Sequence, residues 1–255
     1  MIDAGAPATG AARSGRAGPS ARGGRASARL VGIAAGVVIA VALPLVLIGA
    51  NLDLLVNSGW IYSYNWWRNG IPEQTGLGTD ELDQASRTIK TYFNSPLSQE
   101  LLDVRVSFGG PDVSLYNDGE VLHMRDVKTL VQGFWAAGGW SAAAIGVAFA
   151  AGLMAMRRRF WRVLAGAVRW SATGSVIAIV VIGAASLINF SAVFELFHVL
   201  SFANNLWQLS SQSDYLLIMF PERFWLEATL LLGALIAAEL AGVWLATRWL
   251  RTRAG

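Results

Sequence analysis

Four long apolar segments constrain this chain more than any other feature, because each is long enough to cross a bilayer. Residues 30–50 are uncharged over 21 residues, and a helix of that length spans a hydrocarbon core of ~30 Å. This run exceeds the ~7–15 apolar residues of a signal peptide, which favours a retained first helix. The other predicted transmembrane helices are residues 129–156, 171–189 and 224–247. We therefore predict an α-helical polytopic membrane protein with four transmembrane helices.

The composition agrees with this class and limits the chemistry. Of the 255 residues, 54% are hydrophobic and only 15% are charged, and there are 11 tryptophans, which is typical of a membrane protein. The chain has no cysteine, which excludes disulfides, thiol nucleophiles and cysteine-based metal sites. We expect no cofactor and no metal.

The basic residues follow the positive-inside pattern of membrane proteins. Thirteen of the 20 Lys and Arg residues lie in residues 1–29, 157–169 and 248–255, whereas residues 53–128 contain eleven acids and six bases. This distribution predicts a multi-pass protein of the cell membrane with both termini in the cytoplasm. The clustering of the basic residues is explained by membrane topology, and it does not indicate a nucleic-acid partner.

The segments between the predicted helices complete the domain prediction. Residues 1–29 form a disordered cytoplasmic tail rich in Arg, Ala and Gly. Residues 157–170 form a basic cytoplasmic loop, and residues 248–255 a second cytoplasmic tail. Residues 51–128 form a small extracytoplasmic α+β cap, and residues 190–223 an extracytoplasmic segment at the membrane interface.

The cap has readable secondary-structure signals. The pattern from Asp80 to Phe93 predicts an amphipathic helix. Strand-like residues follow at 104–108 and again at 114–125, where the cluster Asn117, Asp118 and Gly119 predicts a hairpin turn.

The two histidines of the chain both fall at the predicted outer membrane boundary. His123 precedes the second helix, and His198 follows the third. At helical spacing, His198 shares a polar line with Glu195 in the segment between the last two membrane helices. A titratable group at a bilayer boundary is a functional candidate. The alternatives are two loop histidines that never meet, or an interfacial helix whose histidine caps a carbonyl.

Two groups of residues resemble the bacterial lipoprotein intramolecular transacylase family. The first is the His-x-x-Asp-Val pattern that begins at His123. The second begins with the Phe-His pair that ends at His198, and includes the spacing of a later Asn, Trp207, Asp214 and Phe220-Pro221-x-x-Phe224. The resemblance covers roughly residues 30–248, with a large insertion between the first two of four helices.

The resemblance implies a reaction as well as a fold. In this family an acyl chain moves from the sn-2 ester of a diacylglyceryl lipoprotein to the α-amino group of its N-terminal cysteine, which gives a lyso-form lipoprotein. The two essential histidines of the family correspond to His123 and His198. The implied partners are diacylglyceryl-modified lipoproteins and membrane lipids.

An imidazole suits this chemistry, since its pKa of about 6.5 lets it act as a base for an α-amino group near neutral pH. Six other polar or aromatic residues are supporting candidates, and four of them have a structural alternative. Asp126 would orient His123 or cap the second helix, and Glu195 would raise the basicity of His198 or remain solvated. Asn204 or Asn205 would donate to an oxyanion or cap a helix. Trp207 belongs to the matching pattern, and Asp214 would shape the turn back into the membrane.

Two other function classes stay open. A zinc-dependent membrane hydrolase would use both histidines and an acid, but no dense ligand spacing such as H-E-x-x-H is present. A non-catalytic module would bind lipid or protein through the cap and would not need the two imidazoles to meet. The separation of the imidazoles therefore discriminates between the module and an enzyme.

Overall fold

The structure is a computed structural model that describes residues 19–210 and 212–253, most of which are helical. Only the backbone is described for residues 19–25 and 251–253. In chain order the helices are α1 (Pro19–Asn57), α2 (Gly59–Asn69), α3 (Ile71–Thr75), α4 (Thr79–Asn94), α5 (Asp118–Met156), α6 (Phe160–Ile188), α7 (Phe190–Ser201), α8 (Tyr215–Met219) and α9 (Glu222–Arg253). Strands β1 (Arg105–Val106) and β2 (Val113–Ser114) pair antiparallel, with Arg105 opposite Ser114.

Three helical stretches of the described chain are long and apolar enough to cross a membrane: Ala26–Asn57, Asp118–Ile188 and Glu222–Leu250. The middle stretch has 71 residues and contains both α5 and α6. A single 3-10 turn, Arg157–Arg159, separates these two helices.

The chain changes direction at this turn. The Phe149 ring on α5 lies 5.8 Å from the Phe160 ring and 5.9 Å from the Trp161 ring on α6. In one straight helix, residues this far apart in sequence would be separated by about 16–18 Å along the axis. Arg157 has a φ of 51°, a left-handed value that a helix cannot propagate. The turn therefore divides the middle stretch into two separate helices.

Helices α1, α5, α6 and α9 form the apolar bundle. α1 packs mainly along α5, and α6 packs mainly along α9. Gly49 and Gly138 allow the α1 and α5 backbones to approach closely, since a Cβ added to Gly138 would lie 3.3 Å from the Gly49 Cα atom. The side chain of Asn51 on α1 donates a 2.7 Å hydrogen bond to Glu239 on α9. Such bonds link helices where no water competes for them.

The region between α1 and α5 packs around one hydrophobic core together with the segment before α9. The buried side chains of this core include Trp66, Leu82, Ile89, Val104, Tyr116, Met124, Met219 and Phe220. Lys128 on α5 is 1% exposed and donates hydrogen bonds to the Leu97 carbonyl (3.0 Å) and to Glu100 (3.1 Å). These contacts fix the chain after α4 against α5.

The helix predicted at Asp80–Phe93 is confirmed by α4, whereas the hairpin predicted at Asn117–Gly119 is wrong. Asn117 is instead the N-cap of α5. Its side chain accepts a hydrogen bond from the Glu120 backbone N–H (3.1 Å), and the Glu120 carboxyl accepts one from the Asn117 N–H (2.8 Å). This capping box starts a helix where the sequence favoured a strand. The hairpin connects β1 and β2 instead, and Gly109 within it has a φ of 80°.

Several predicted boundaries also differ from the structure. Residues 19–29, predicted as disordered tail, are the first turns of α1, because extending an existing helix with Ala and Arg needs no new nucleus. Residues 1–18 lie outside the described residues. α1 also continues to Asn57, beyond the predicted start of the cap at residue 51. The predicted basic loop at 157–170 is reduced to the turn at 157–159, since α6 already begins at Phe160.

Candidate functional site

The candidate site is built on the first two turns of α5 and on the last turn of α7. His123 lies on α5 and is 5% exposed, and His198 lies on α7 and is 6% exposed. The centroids of the two imidazole rings are 5.8 Å apart, with an angle of 35° between the ring planes. The structure thus brings together the two histidines that the sequence placed at one boundary.

The hydrogen bond of His198 determines which ring nitrogen holds the proton in its neutral form. Nδ1 lies 2.7 Å from the carbonyl oxygen of Phe194, one turn earlier in α7. A carbonyl oxygen only accepts hydrogen bonds, so Nδ1 carries the hydrogen. The lone pair of neutral His198 is then on Nε2, which is the nitrogen that can accept a proton.

Burial keeps His198 in that neutral form. Removal of the ring from water lowers the pKa of His198 from its ordinary value, and the hydrogen bond to the Phe194 carbonyl opposes this effect only in part. His123 contributes a further unusual feature, since its buried Nδ1 has no hydrogen-bond partner among the described residues.

Aromatic rings surround the pair. The ring of Phe202 lies 5.2 Å from His123, edge to face, and 5.6 Å from His198. The rings of Phe194 and Trp207 lie 4.2 Å and 5.3 Å from His198. These neighbours are apolar surfaces, which limits access of water to both imidazoles.

Asp126 and Asn204, two of the supporting candidates, contact each other. Nδ2 of Asn204 donates a 2.8 Å hydrogen bond to Oδ2 of Asp126. Asp126 does not cap the second membrane helix, because α5 already begins after Asn117. It makes no hydrogen bond to His123 in the part of the chain that the structure describes, although its charge acts on that imidazole.

The remaining candidates fall into different environments. Trp207 contacts the pair, as its distance to His198 shows. Glu195 and Asn205 are both exposed. Asp214 lies at the start of α8, where its carboxylate accepts hydrogen bonds from Ser210 N–H (2.6 Å) and from the Asn117 side chain (3.0 Å).

Sequence reasoning missed Asn117 and Glu120 as part of this site. Glu120 is 1% exposed, and its Oε1 accepts a 2.6 Å hydrogen bond from the Leu216 backbone N–H. Asn117 and Glu120 therefore anchor the α8 segment to the start of α5, within two turns of His123. A readable signal existed, because an Asn followed by a Glu three residues later is a capping-box pattern.

The described residues contain no group of three or more His, Cys, Asp or Glu side chains arranged to hold a metal ion. The chemistry that the site can perform with its own groups is proton transfer between two imidazoles. A centroid separation of 5.8 Å is within the direct or single-water reach that acid–base catalysis needs.

The fold and the site define a class of helical membrane protein with two buried imidazoles from separate helices. The family model described as lipoprotein intramolecular transacylase Lit matches residues 37–225. This chain therefore belongs to the lipoprotein intramolecular transacylase Lit family.

Solved structures agree with this membership at the level of fold. The in meso structure of the membrane-integral transacylase Lit from Bacillus cereus superposes with a TM-score of 0.72 and 18% identity, and covers 89% of this chain and 97% of that one. A histidine-to-alanine variant of the same protein gives a TM-score of 0.69 at 17% identity, covering 92% and 98%. An uncharacterized protein from Aquifex aeolicus (strain VF5) is 24% identical over 200 residues, which are 78% of this chain and 86% of that protein.

Proposed function

We propose that this protein moves the sn-2 acyl chain of a diacylglyceryl lipoprotein onto the α-amino group of the lipoprotein's N-terminal cysteine. The amine nitrogen attacks the ester carbonyl carbon and loses a proton, and the glycerol oxygen leaves and gains one. An ester is replaced by an amide within one molecule, so no water or second substrate is consumed. The observation that supports this most directly is the 5.8 Å pair of buried imidazoles from α5 and α7.

His198 is the base in this proposal. Its Nδ1 is occupied by the Phe194 carbonyl, which leaves the Nε2 lone pair for the proton of the attacking amine. The α-amino group has an ordinary pKa of about 8, so a neutral imidazole is a suitable acceptor as the new bond forms.

His123 relays a proton to the departing glycerol oxygen. Its buried Nδ1 has no hydrogen-bond partner within the described chain, so this nitrogen can exchange a proton with bound substrate. One ring nitrogen of His123 takes up the proton that His198 gained while the other releases a proton to the glycerol oxygen, so both imidazoles are neutral before and after the reaction. The 5.8 Å spacing of the rings permits this exchange directly or through one water.

The substrate supplies its own nucleophile, so the protein needs no serine or cysteine for attack. Its contribution is alignment of the amine with the ester and handling of protons. Alignment alone can supply ~7–11 kcal/mol of the barrier reduction in well-oriented intramolecular reactions.

We further propose four membrane crossings, formed by α1, α5, α6 and α9, with both termini in the cytoplasm and the region between α1 and α5 outside as a cap. The turn at Arg157–Arg159 supports this division of the 71-residue stretch. In this arrangement the imidazole pair lies at the outer boundary, where the glyceryl group of a membrane-anchored lipoprotein is found.

The test is expression in a host that makes only diacylglyceryl lipoproteins, with mass spectrometry of the N-terminal lipopeptide. Wild-type protein should shift one acyl chain from glycerol to the amine. His123→Gln and His198→Gln should each reduce the rate by ~10²–10⁴, the usual scale of general acid–base catalysis. The double variant should lose little more than the worse single variant, because groups that act as a unit are not additive.

Thr129→Gln is the matched control, since Thr129 is exposed on the same helix as His123. It should retain the wild-type rate. Near-normal acyl transfer by both histidine variants at normal expression would rule out the mechanism and favour the non-catalytic binding module.

A further inference from the structure

A short segment without helix or strand, residues 202–210, lies beside the imidazole pair, and we refer to it as the strap. It begins directly after α7 and ends at Ser210, whose N–H donates to Asp214. Asp214 in turn accepts from the side chain of Asn117 at the start of α5 (3.0 Å). The far end of the strap is thus connected to α5.

The near end of the strap is connected to α5 by one side chain. Nδ2 of Asn204 donates to Oδ2 of Asp126 (2.8 Å), and Oδ1 of Asn204 accepts from the Leu206 N–H of the strap itself (3.0 Å). Both ends of the amide are used, and their orientation is determined because a carboxylate can only accept. Asn117, Glu120, His123 and Asp126 follow one another at three-residue intervals, so His123 lies between the points where α5 holds this part of the chain.

The strap supplies two of the rings that confine the imidazoles. Phe202 contacts both histidines, and Trp207 contacts His198 at 5.3 Å. A displacement of the strap would therefore remove packing from both rings and admit water to them.

We propose that Asp126 and Asn204 are positioning residues, whose hydrogen bond holds the strap so that Phe202 and Trp207 fix the two imidazoles for proton transfer. The kinetic effect expected of this hydrogen bond rests on the acyl transfer proposed above. Asp126 makes no hydrogen bond to either imidazole within the described chain; its charge acts on His123 electrostatically, and its hydrogen bond to Asn204 holds the strap. The bond joins residues 78 positions apart, so it ties two separate elements of the site together.

The bond can be broken and rebuilt with opposite polarity. Asn204→Asp places one carboxylate against another, and their repulsion should release the strap. Combining it with Asp126→Asn puts an amide on α5 and a carboxylate on the strap, so the hydrogen bond forms again with donor and acceptor exchanged. The carboxylate on the strap also still accepts from the Leu206 N–H. Gln208→Glu is the matched control, because Gln208 is an exposed strap residue and receives the same charge.

The first readout is independent of activity. The chain has only two histidines, so modification by diethylpyrocarbonate, followed by mass spectrometry, reports on His123 and His198 alone. Asn204→Asp should make both react several-fold faster than in wild-type protein, whereas Gln208→Glu should not. The double variant should return to slow modification.

The second readout is kinetic. Asn204→Asp should lower kcat for acyl transfer by about ten- to a hundred-fold, the scale of a small misplacement at a reacting centre. KM should change little, because the strap acts on the imidazoles and not on substrate binding. The double variant should recover most of the lost kcat.

These results separate the two proposals. Unchanged histidine modification in Asn204→Asp, or failure of the double variant to restore slow modification, would overturn the positioning role whatever the reaction proves to be. Equal acceleration in Gln208→Glu would do the same, since charge on the strap would then be the cause. Absence of acyl transfer by wild-type protein, with the modification pattern as expected, would instead overturn the proposed function alone.

Discussion

At the scale of single residues, the site depends on a hydrogen bond whose acceptor belongs to the main chain. The acceptor for His198 Nδ1 is the Phe194 carbonyl, a main-chain oxygen of the same helix. The neutral tautomer is therefore a consequence of α7 itself, and every conformation that keeps this helix keeps the lone pair on Nε2. Burial adds to this by disfavouring the imidazolium form.

A base that is buried and neutral predicts the pH dependence of kcat. The base must be neutral, so activity should fall as the pH drops through the pKa of His198 in the complex. Because burial lowers that pKa, the decline should lie below the ordinary imidazole value of about 6.5. The measurement is kcat at saturating substrate across the acidic range.

Saturation matters in that measurement because kcat/KM would also report the α-amino group of free substrate, which titrates near 7.7–8.0. An acid limb of kcat above about 6.5 would contradict the assignment of His198 as the buried base. A rate that rises on acidification would contradict it more directly.

The candidate histidines could be predicted from the sequence, but most of their environment could not. Hydropathy predicts how deep a residue lies in the membrane, and the distribution of arginines predicts on which side of the membrane it lies. Together they predict that His123 and His198 lie at the same boundary. The contact between Asp126 and Asn204 has no such one-dimensional signature, because it joins side chains 78 residues apart. The hydrogen bond from the Leu216 N–H to the Glu120 carboxyl is hidden for the same reason.

At the scale of elements, α5 is where sequence reasoning failed and where the site is determined. The cluster at Asn117–Gly119 has the residues of a hairpin turn, yet it begins a helix that continues to Met156. A capping box and a long apolar continuation outweighed the local turn preference. His123 and Asp126, which would face opposite sides of a strand, thereby come to lie one turn apart on a helix.

The close contact between α1 and α5 gives a prediction about stability. A Cβ on Gly49 would lie 2.9 Å from the Phe134 carbonyl oxygen, and a backbone atom cannot move aside as a flexible side chain can. Gly49→Ala should therefore destabilise the protein by ~1–3 kcal/mol, as overpacking of a tight contact does. Thermal unfolding in detergent measures the effect.

Gly139→Ala is the control for that experiment. Gly139 lies on α5 beside the contact residue Gly138, but a Cβ there would meet nothing within 4 Å. The substitution should be neutral or slightly stabilising, because alanine is the better helix former by ~1 kcal/mol. If both variants behaved alike, the close approach of α1 and α5 would not be a determinant of stability.

At the scale of the whole molecule, polarity and charge divide the protein into two ends. The region between α1 and α5 contains the acidic excess and the polar surface. At the other end, Arg157, Arg158 and Arg159 are exposed at the turn between α5 and α6, and Arg162 and Arg169 are exposed on the first part of α6. Burial inside the apolar bundle is low for its helices, as expected where lipid replaces water around them. The imidazole pair lies at the acidic end, between the start of α5 and the end of α7.

This division predicts the orientation in the cell. Thr91 is exposed on α4 in the proposed cap, and Arg158 is exposed at the turn. Since the chain has no cysteine, Thr91→Cys and Arg158→Cys each introduce one unique thiol, and the wild-type protein is the blank. A membrane-impermeant maleimide added to intact cells should label Thr91→Cys, while Arg158→Cys should react only after permeabilisation, because the basic excess remains inside.

Labelling of Arg158→Cys in intact cells would place the turn outside. Since the turn and the imidazole pair lie at opposite ends of α5, the pair would then face the cytoplasm, away from the lipoprotein substrates that the proposed reaction requires.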